Sequence, residues 1–326
     1  MSDEQAPTAG RQDEPVLAII GGSGVGQAFS HEPTRVHEPE TPFGRPSGPI
    51  LETRIEGITT FLLARHGLGH LLNPSQVPHR ANIFALKQLG ATHVIASGAV
   101  GSLREEYRPR DLVIPDSVID KTVHRAGTFY DHAAVHVEMA DPFCDVLRRL
   151  LLDAAGPDPE RDGRVHDGGC YVCMEGPAFG TRAESHMHRL WGGDLIGMTL
   201  MPEAKLAREA ELPYAAVCLV TDYDSWRPRP EGGAGPSALL EEIIGNLKQA
   251  TSRAMALIRR AATLARERNA ELAAAPARDA LKLAIWSDRG RIDPAEVARL
   301  RPLWGRYFPA DAAQDAPAPE AASAVD

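Results

Sequence analysis

Two aspartates at the end of an apolar run are the first residues in this chain that could do chemistry. Asp222 and Asp224 follow residues 215–220, a run with the length and flanking signals of a buried strand. Their i, i+2 spacing places both carboxyls on one face of an extended segment. Because neighbouring carboxylates repel each other, one of them can keep its proton near neutral pH and act as a general acid. Taken alone, the pair is better explained as a cap of the following turn or helix.

Three earlier apolar runs end in groups that suit an anion. The candidates are Ser23 in a glycine turn after residues 16–20, Arg65 and His66 after residues 58–64, and Ser97 with Ala99 in a small-residue turn after residues 93–96. Hydroxyls, exposed backbone amides and a guanidinium are groups that bind phosphate in proteins. Three such strand ends in series predict one phosphate pocket along one edge of a sheet.

The glycine turn leaves two alternatives open. Residues 21–26 contain the G-x-G spacing of Gly22 and Gly24 but not the full dinucleotide-binding pattern. The residues that follow are rich in His and Pro and do not indicate the helix and strand that such a site requires. A dinucleotide site is therefore the weaker interpretation, and a plain tight turn explains this stretch about as well.

Other candidate groups favour a planar ligand over a metal. Phe179 lies in the glycine- and proline-containing loop 175–180, which could present the ring for stacking, although a core ring is the simpler explanation. The histidines of residues 121–141 lack zinc-site spacing, so no metal is expected. Cys170 and Cys173 have C-x-x-C spacing but lie within an expected strand, which indicates packing residues.

Composition limits the kinds of partner. The chain has 326 residues, is 43% hydrophobic and carries a formal net charge of −9, which gives no general attraction for nucleic acid or an anionic membrane. Its four cysteines are too few for a disulfide framework and fit a reducing compartment. No apolar run approaches the length of a membrane span, and the N-terminus lacks a signal-peptide core. We therefore expect a cytoplasmic protein.

Several motifs occur together in the order expected of one enzyme family. They are 18–24 (AIIGGSG), 41–44 (TPFG), 64–67 (ARHG), 92–95 (THVI), 101–106 (GSLREE), 175–177 (EGP), 181–185 (TRAES), 198–199 (MT) and 221–224 (TDYD). In this combination the chain resembles the 5′-methylthioadenosine phosphorylases of the trimeric purine nucleoside phosphorylase group, over roughly residues 16–265. The resemblance implies an α/β fold, with a central mixed sheet flanked by helices on both faces. It also implies a homotrimer with active sites near the subunit interfaces.

The resemblance further implies phosphorolysis of a nucleoside. Phosphate attacks the anomeric carbon, adenine leaves, and 5-methylthioribose 1-phosphate forms. Inorganic phosphate is then a co-substrate, and no metal or organic cofactor is required. By the family's motifs, phosphate binds at Ser23, Arg65, His66, Ala99 and Thr199, the ribose at Met198, the base at Phe179, Asp222 and Asp224, and the 5′-methylthio group near His136.

Three glycines depart from the family pattern. Gly98 stands where a phosphate-binding hydroxyl is usual, which could weaken phosphate binding or shift the donor to Ser97. Gly180 stands where a serine often approaches the base, and Gly197 replaces the usual asparagine before Met198. We expect these two glycines to leave room near the base and the ribose, which opens the choice of purine.

The residue types fit the charges of the reaction. In an oxocarbenium-like transition state the sugar becomes positive and the purine negative, so a firmly held phosphate dianion stabilises the sugar. A neutral Asp222 would donate a proton to purine N7, while Asp224 accepts from the 6-amino group. A 6-oxopurine would leave acceptors facing each other, at about 1–3 kcal/mol per unsatisfied group. A 6-oxopurine nucleoside phosphorylase is the alternative enzyme, and a nucleotide- or NAD-binding protein is the non-enzymatic alternative.

The expected organisation is one catalytic domain with a helical extension. We expect the phosphorylase domain over residues 15–270, the extension over 271–308, and disordered ends over 1–14 and 309–326. Further expected elements are a strand over 112–119 with an edge or bulge at Pro115, helices over 142–155, 181–190 and 202–211, and a helical region over 236–269 interrupted at Gly245. The helix from 181 is expected to open with a capping box of Thr181 and Glu184.

Overall fold

A computed structural model describes residues 14–22, 34–156, 163–228 and 236–308 of the chain. Within these ranges, eleven strands form one mixed sheet. The strands are β1 (Leu17–Gly21), β2 (Arg35–His37), β3 (Ile50–Ile55), β4 (Ile58–Ala64), β5 (His93–Ser102), β6 (Leu112–Ile114), β7 (Ser117–Asp120), β8 (Val165–Asp167), β9 (Cys170–Cys173), β10 (Leu195–Gly197) and β11 (Tyr214–Tyr223). The helices are α1 (His79–Gln88), α2 (Asp145–Ala155), α3 (Arg182–Leu190), α4 (Glu203–Glu209), α5 (Pro236–Glu267), α6 (Asn269–Ala273), α7 (Pro294–Arg299) and α8 (Arg301–Trp304). Short 3₁₀ helices cover Leu68–His70, Pro74–Gln76, Pro276–Asp279, Arg289–Arg291 and Gly305–Tyr307.

Strand β5 is the centre of the sheet because it pairs with three other strands. On one edge its first half runs parallel to β1, and its last two residues run antiparallel to β10. On the other edge it runs parallel to β11 over nearly its whole length. From β1 the sheet continues through β4, β3 and β2, and from β10 it continues through β9 and β7. The predicted mixed sheet is confirmed.

The two faces of the sheet carry separate cores because side chains alternate along each strand. In β1, Leu17 and Ile19 point to the face that α2 and α5 cover. Ala18 and Ile20 point to the other face, which α1, α4 and the C-terminal helices cover, with Trp304 fully buried there. Helices therefore lie on both faces, as predicted.

Strand β5 is longer than the sequence predicts. The prediction of a turn over residues 97–102 is wrong, because these residues continue β5 and pair with β11. Their small size serves close packing instead. A Cβ on Gly98 would lie 3.0 Å from Thr199 Oγ1, and one on Gly101 would lie 3.1 Å from Ile196 Cγ2. The glycines therefore allow neighbouring segments to approach the strand backbone.

Other boundaries also differ from the prediction. Gly245 does not interrupt α5, which runs through it without a break; a glycine costs a helix only about 1 kcal/mol, which tertiary packing overcomes. The expected strand over 112–119 is split at Pro115 into β6 and β7, because proline cannot donate a hydrogen bond to a neighbouring strand. Strands β2, β3 and β8 were not predicted.

The chain organisation beyond the sheet stays partly a prediction. No helix in the described ranges is both long and apolar enough to cross a membrane. The division into a domain over 15–270 and an extension over 271–308 stays a prediction. The chain ends expected to be disordered lie outside the described residues, except for Glu14.

The N-terminus of α3 confirms the predicted capping box. Thr181 Oγ1 accepts a hydrogen bond from the Glu184 amide at 3.2 Å. In return, Glu184 Oε2 accepts one from the Thr181 amide at 2.8 Å. The box fixes the point where the loop that carries Phe179 enters the helix.

We expect Thr181→Ala to lower the free energy of unfolding by about 1 kcal/mol, because it removes the acceptor of a backbone N–H at the helix end. Thr181→Ser keeps the hydroxyl and serves as the matched control. Denaturant unfolding followed by circular dichroism measures both variants. An alanine variant as stable as the wild type would contradict the role of the cap.

Candidate active site

The guanidinium of Arg65 is buried directly after β4 and is bound on several sides. Its Nε and Nη2 donate to the two carboxylate oxygens of Glu203, each at 2.9 Å. Its Nη1 donates to the backbone oxygen of Ser97 at 2.8 Å, and Nη2 donates to the Ile20 oxygen at 3.4 Å. Burial alone would lower the pKa of Arg65, but Glu203 keeps it above its usual range. Arg65 is therefore a fixed cation between β1, β4 and β5.

Glu203 is a residue of this site that the sequence analysis missed. It is the first residue of α4 and has no exposed surface. Besides Arg65, it accepts a hydrogen bond from the Tyr214 hydroxyl at 2.8 Å, and His79 Nδ1 lies 4.0 Å from it. An acidic residue in a first helical turn is usually an exposed partner of the helix dipole, so its position gave no sign of burial. The available signal was Arg65 itself, since a buried cation requires a nearby anion.

The pairing limits how Arg65 could bind phosphate. The bidentate edge of its guanidinium is occupied by Glu203, which leaves one N–H of Nη1 without an acceptor among the described residues. The backbone amide of Arg65 donates to the Gly21 oxygen at 2.9 Å, at the end of β1. Ser23, two residues further along, lies outside the described residues. The phosphate roles of Arg65 and Ser23 stay predictions.

The phosphate candidates Ser97 and Ala99 lie in the middle of β5, and Thr199 lies beside that strand. Ser97 is buried, and Ala99 on the same strand is exposed. Thr199, which follows β10 closely, has its hydroxyl oxygen 3.0 Å from the place of a Cβ on Gly98. The structure therefore brings Arg65, Ser97 and Thr199 to one stretch of β5, and their contacts with phosphate stay predictions.

His66 is buried beside Arg65 and is neutral at physiological pH. Burial is the main cause that lowers the pKa of His66 to about 4. Its Nδ1 lies 2.9 Å from the Leu72 carbonyl oxygen, so in the neutral ring Nδ1 carries the hydrogen and Nε2 is an acceptor. The ring also stacks on His70, with the ring centres 4.3 Å apart. An acceptor of this kind suits a protonated phosphate oxygen, and the phosphate role of His66 stays a prediction.

Asp222 lies within β11, so the predicted strand end at Val220 is too early. The pairing with β5 shifts by one residue between Val220 and Asp222, which forms a bulge. Thr221, the extra residue, donates its hydroxyl to Asp222 Oδ1 at 2.7 Å. Burial is the main cause that raises the pKa of Asp222, and the nearby Asp224 charge raises it further. This is the direction expected of neighbouring carboxyls.

Asp224 holds one carboxylate oxygen in a buried position without a donor. Its Oδ2 has no hydrogen-bond partner in the described part of the chain. Its backbone amide donates to the Ser102 oxygen at 3.0 Å, and its Cβ would lie 3.4 Å from a Cβ on Gly101. Because an unpaired buried acceptor is unfavourable, a rotation of the carboxylate that offers this oxygen to the N–H of a ligand would be stabilising.

Phe179 is not a core ring, since its side chain is 87% exposed. It lies in the loop between β9 and α3. The neighbouring Gly180 carbonyl accepts a hydrogen bond from Ser225 Oγ at 3.4 Å, which places this loop beside the aspartate pair. The ring is therefore available to stack on a planar ligand, and this role stays a prediction.

Arg125, a second residue that the sequence analysis missed, fixes the backbone around Met198. Its Nη1 donates to the Met198 and Met201 carbonyls at 2.7 and 2.6 Å. Its Nε donates to Glu175 Oε1 at 3.1 Å. Partial burial would raise the pKa of Glu175, but the hydrogen bonds that it accepts, first of all from Ser75, lower it to about 2. The predicted ribose contact Met198 therefore lies on a held segment, although the contact itself stays a prediction.

The structure does not bring His136 to the other candidates within one chain. The side chain is exposed, and its ring lies 4.5 Å from the ring of Trp286. Its backbone amide donates to the Ala284 carbonyl at 2.9 Å. Both contacts are with the predicted C-terminal extension. The role of His136 near a 5′-methylthio group stays a prediction.

The two glycines near the expected base and ribose positions behave differently. A Cβ on Gly180 would meet only ordinary contacts, with Glu184 and Met174 atoms at 3.9–4.0 Å. A Cβ on Gly197 would lie 2.1 Å from the hydroxyl oxygen of Tyr171. The expectation of free room at Gly197 is therefore wrong, because a tyrosine ring from β9 occupies that space.

The cysteines and histidines that the structure describes form no metal cluster. Among the described residues, no three His, Cys, Asp or Glu side chains are grouped so that they could hold a metal ion. Cys170 and Cys173 are free thiols, and burial raises the pKa of Cys173 to about 12, which keeps it unreactive. That the protein needs no metal stays a prediction.

Sequence relatives of this chain include several proteins of one name. The family model described as the Phosphorylase superfamily matches residues 16–263. The S-methyl-5′-thioadenosine phosphorylase of Geobacter sulfurreducens is 43% identical over 297 residues, which cover 90% of this chain and 99% of that protein. The protein of the same name from Pyrococcus horikoshii is 47% identical over 248 residues, covering 76% and 91%. The family resemblance inferred from the motifs is confirmed.

Solved structures share the fold. A methylthioadenosine phosphorylase from an antarctic soil metagenomic library is 42% identical, with a TM-score of 0.80 over 90% of this chain and 99% of that one. A mutant adenosine/methylthioadenosine phosphorylase from Schistosoma mansoni, in complex with methylthioadenosine, is 32% identical, with a TM-score of 0.73 over 84% and 99%. The described sheet and helices therefore match an enzyme fold of known structure.

We expect Glu203→Gln to destabilise the protein by about 3–5 kcal/mol, because it leaves the buried Arg65 cation without its counter-charge. Tyr214→Phe removes only one hydrogen bond to the same carboxylate and should cost about 1 kcal/mol. Denaturant unfolding of both variants and the wild type measures the difference. Equal losses in the two variants would show that the charge of Glu203 does not matter.

Proposed function

The chain belongs to the phosphorylase superfamily, and we propose that it catalyses phosphorolysis of S-methyl-5′-thioadenosine to adenine and 5-methylthioribose 1-phosphate. The observation that carries the proposal is the aspartate pair at the end of β11. Asp222 has a raised pKa, and Asp224 has a buried oxygen without a donor. The pair thus offers a proton and an acceptor side by side, which is what a departing 6-aminopurine requires.

On the base side, the two aspartates would take different roles. Because its pKa is raised, Asp222 is protonated in a larger fraction of molecules than an exposed aspartate and can donate to purine N7. Asp224 Oδ2 would accept from the 6-amino group, which supplies the donor that it lacks. A 6-oxopurine would present an acceptor to that oxygen, at a cost of about 1–3 kcal/mol. The arrangement therefore favours a 6-aminopurine over the alternative 6-oxopurine substrate.

On the other side, phosphate would lie where Arg65, Ser97 and Thr199 meet along β5. There its negative charge would face the sugar that becomes positive as the bond to the base breaks. Because Glu203 holds the Arg65 guanidinium in place, the cation would need no rearrangement during the reaction. Phosphate is the second substrate, and we propose that no metal or organic cofactor takes part. A nucleotide- or NAD-binding function would explain neither the buried ion pair nor the aspartate pair.

We further propose a cytoplasmic homotrimer that works in purine and methionine salvage, with its active sites near the subunit interfaces. Large apolar side chains that a single chain leaves exposed support the assembly, among them Leu68 and Leu71. Burial of such side chains against a second subunit would stabilise a complex. An interface beside these loops would also explain why His136 has no contact with the other candidates of its own chain.

Release of adenine from S-methyl-5′-thioadenosine tests the proposed reaction. We expect release only when phosphate is present, and faster turnover than with inosine, methylthioinosine or adenosine. Chromatography of the free base measures each rate. Preference for inosine or methylthioinosine would contradict the base assignment, and no release from any nucleoside would reject the enzyme.

We expect Asp222→Asn to keep nucleoside binding and to lower kcat about 100-fold or more, because general acids contribute typically about 10²–10⁴-fold. In the wild type, kcat should fall as the pH rises through the raised pKa of Asp222, since only the protonated form can donate. Asp141→Asn changes an exposed carboxylate and is the control. Steady-state kinetics with a pH profile measures both, and near-normal turnover in Asp222→Asn would contradict the proton-donor role.

A further inference from the structure

Gly98 and Gly197 lie beside two side chains that contact each other, Thr199 and Tyr171. A Cβ on Gly98 would lie 3.0 Å from Thr199 Oγ1. A Cβ on Gly197 would lie 2.1 Å from the Tyr171 hydroxyl oxygen and 2.7 Å from the ring carbon that bears it. That hydroxyl in turn contacts Thr199. The two missing side chains therefore make room for a single pair of hydroxyls.

Of the two hydrogen bonds between Tyr171 and Thr199, the one from the Thr199 amide has a defined direction. Tyr171 Oη accepts from the Thr199 backbone amide at 3.1 Å and lies 3.4 Å from Thr199 Oγ1. Burial raises the pKa of Tyr171 far above its usual range, so the phenol keeps its proton. Because the amide can only donate, that proton is free to go to Thr199 Oγ1. The hydrogen of the threonine hydroxyl is then available to another acceptor.

The neighbouring Gly98 gives the available hydrogen of the Thr199 hydroxyl a possible role. Gly98 has no side chain, so β5 offers no hydroxyl at this position of the expected phosphate site. The threonine hydroxyl lies within contact distance of the place where the side chain at 98 would begin. The Thr199 hydroxyl can therefore act as the hydrogen-bond donor to phosphate at this position, provided that another group orients it.

We propose that Tyr171 is the positioning residue that aims the Thr199 hydroxyl at the phosphate. This inference rests on the proposed function, in which Thr199 contacts phosphate. Tyr171 itself is buried, so it would act through Thr199 rather than by touching a substrate. Gly197 is part of the same arrangement, because any larger residue there would displace the Tyr171 ring.

The Tyr171→Phe variant tests the proposal because it keeps the ring and removes only the hydroxyl. We expect KM for phosphate to rise about tenfold, the effect of one lost hydrogen bond, while KM for the nucleoside changes less than twofold. Tyr130→Phe is the matched control, since it removes another buried hydroxyl, bound to the Glu209 carbonyl at 3.1 Å. It should leave both KM values unchanged. An unchanged phosphate KM in Tyr171→Phe, or equal changes in both KM values, would overturn the proposal.

Phosphate binding without nucleoside separates this inference from the proposed function. We expect inorganic phosphate to raise Tm of the wild type, and Tyr171→Phe to need about tenfold more phosphate for the same rise. If the wild type binds phosphate but releases no base, the proposed function fails while this shift still tests Tyr171. No phosphate-dependent rise in the wild type, or the same dependence in both proteins, overturns the inference.

Gly197→Ala tests whether the small residue at 197 is needed to keep Tyr171 in place. Its methyl group would overlap the Tyr171 hydroxyl, so we expect the phosphate KM to rise at least as far as in Tyr171→Phe. In a Tyr171→Val background, which vacates the space, the same change should add little to the effect of the valine. Additive effects would show that Gly197 acts independently of Tyr171 and would overturn the coupling.

Discussion

The ion pair between Arg65 and Glu203 is buried, with its side chains 1% and 0% exposed. Both side chains lie below the surface, where a lone charge costs several kcal/mol, so each can be buried only with the other. The Ser97 and Ile20 carbonyls and the Tyr214 hydroxyl complete the cluster. These groups come from or adjoin β4, α4, β5, β1 and β11. One electrostatic requirement therefore sets the relative position of the segments that build the candidate site.

Strand β5 joins the two halves of that site. Near its middle, Ser97 faces the Arg65 cation, and near its end Gly101 pairs opposite Asp222 in β11. The distance between the Arg65 cation and the Asp222 carboxyl is thus set by one strand that is hydrogen-bonded along both edges. Such rigidity suits a reaction in which opposite charges develop on the sugar and the purine, because groups already in place need no rearrangement.

The glycines at 98 and 197 show that a side chain absent from a motif need not leave a space. At Gly197 the Tyr171 ring from β9 fills the volume, and at Gly98 the Thr199 hydroxyl approaches the backbone. Gly180, by contrast, has only ordinary contacts around it. The sequence motifs alone predict no difference among the three glycines, whereas the neighbouring side chains show that the free space beside them differs.

Hydrophobic periodicity, capping residues and charge spacing are local patterns, and they predicted most strand and helix positions, the cap of α3 and the aspartate pair, while the family motifs implied the α/β fold. The folded structure was needed to show that Glu203 neutralises Arg65, that Tyr171 fills the space at Gly197, and that residues 97–102 stay in a strand. Each of these depends on which side chains meet across the sheet. Such meetings join segments far apart in the chain, and their proximity leaves no periodic signal in the sequence of either segment.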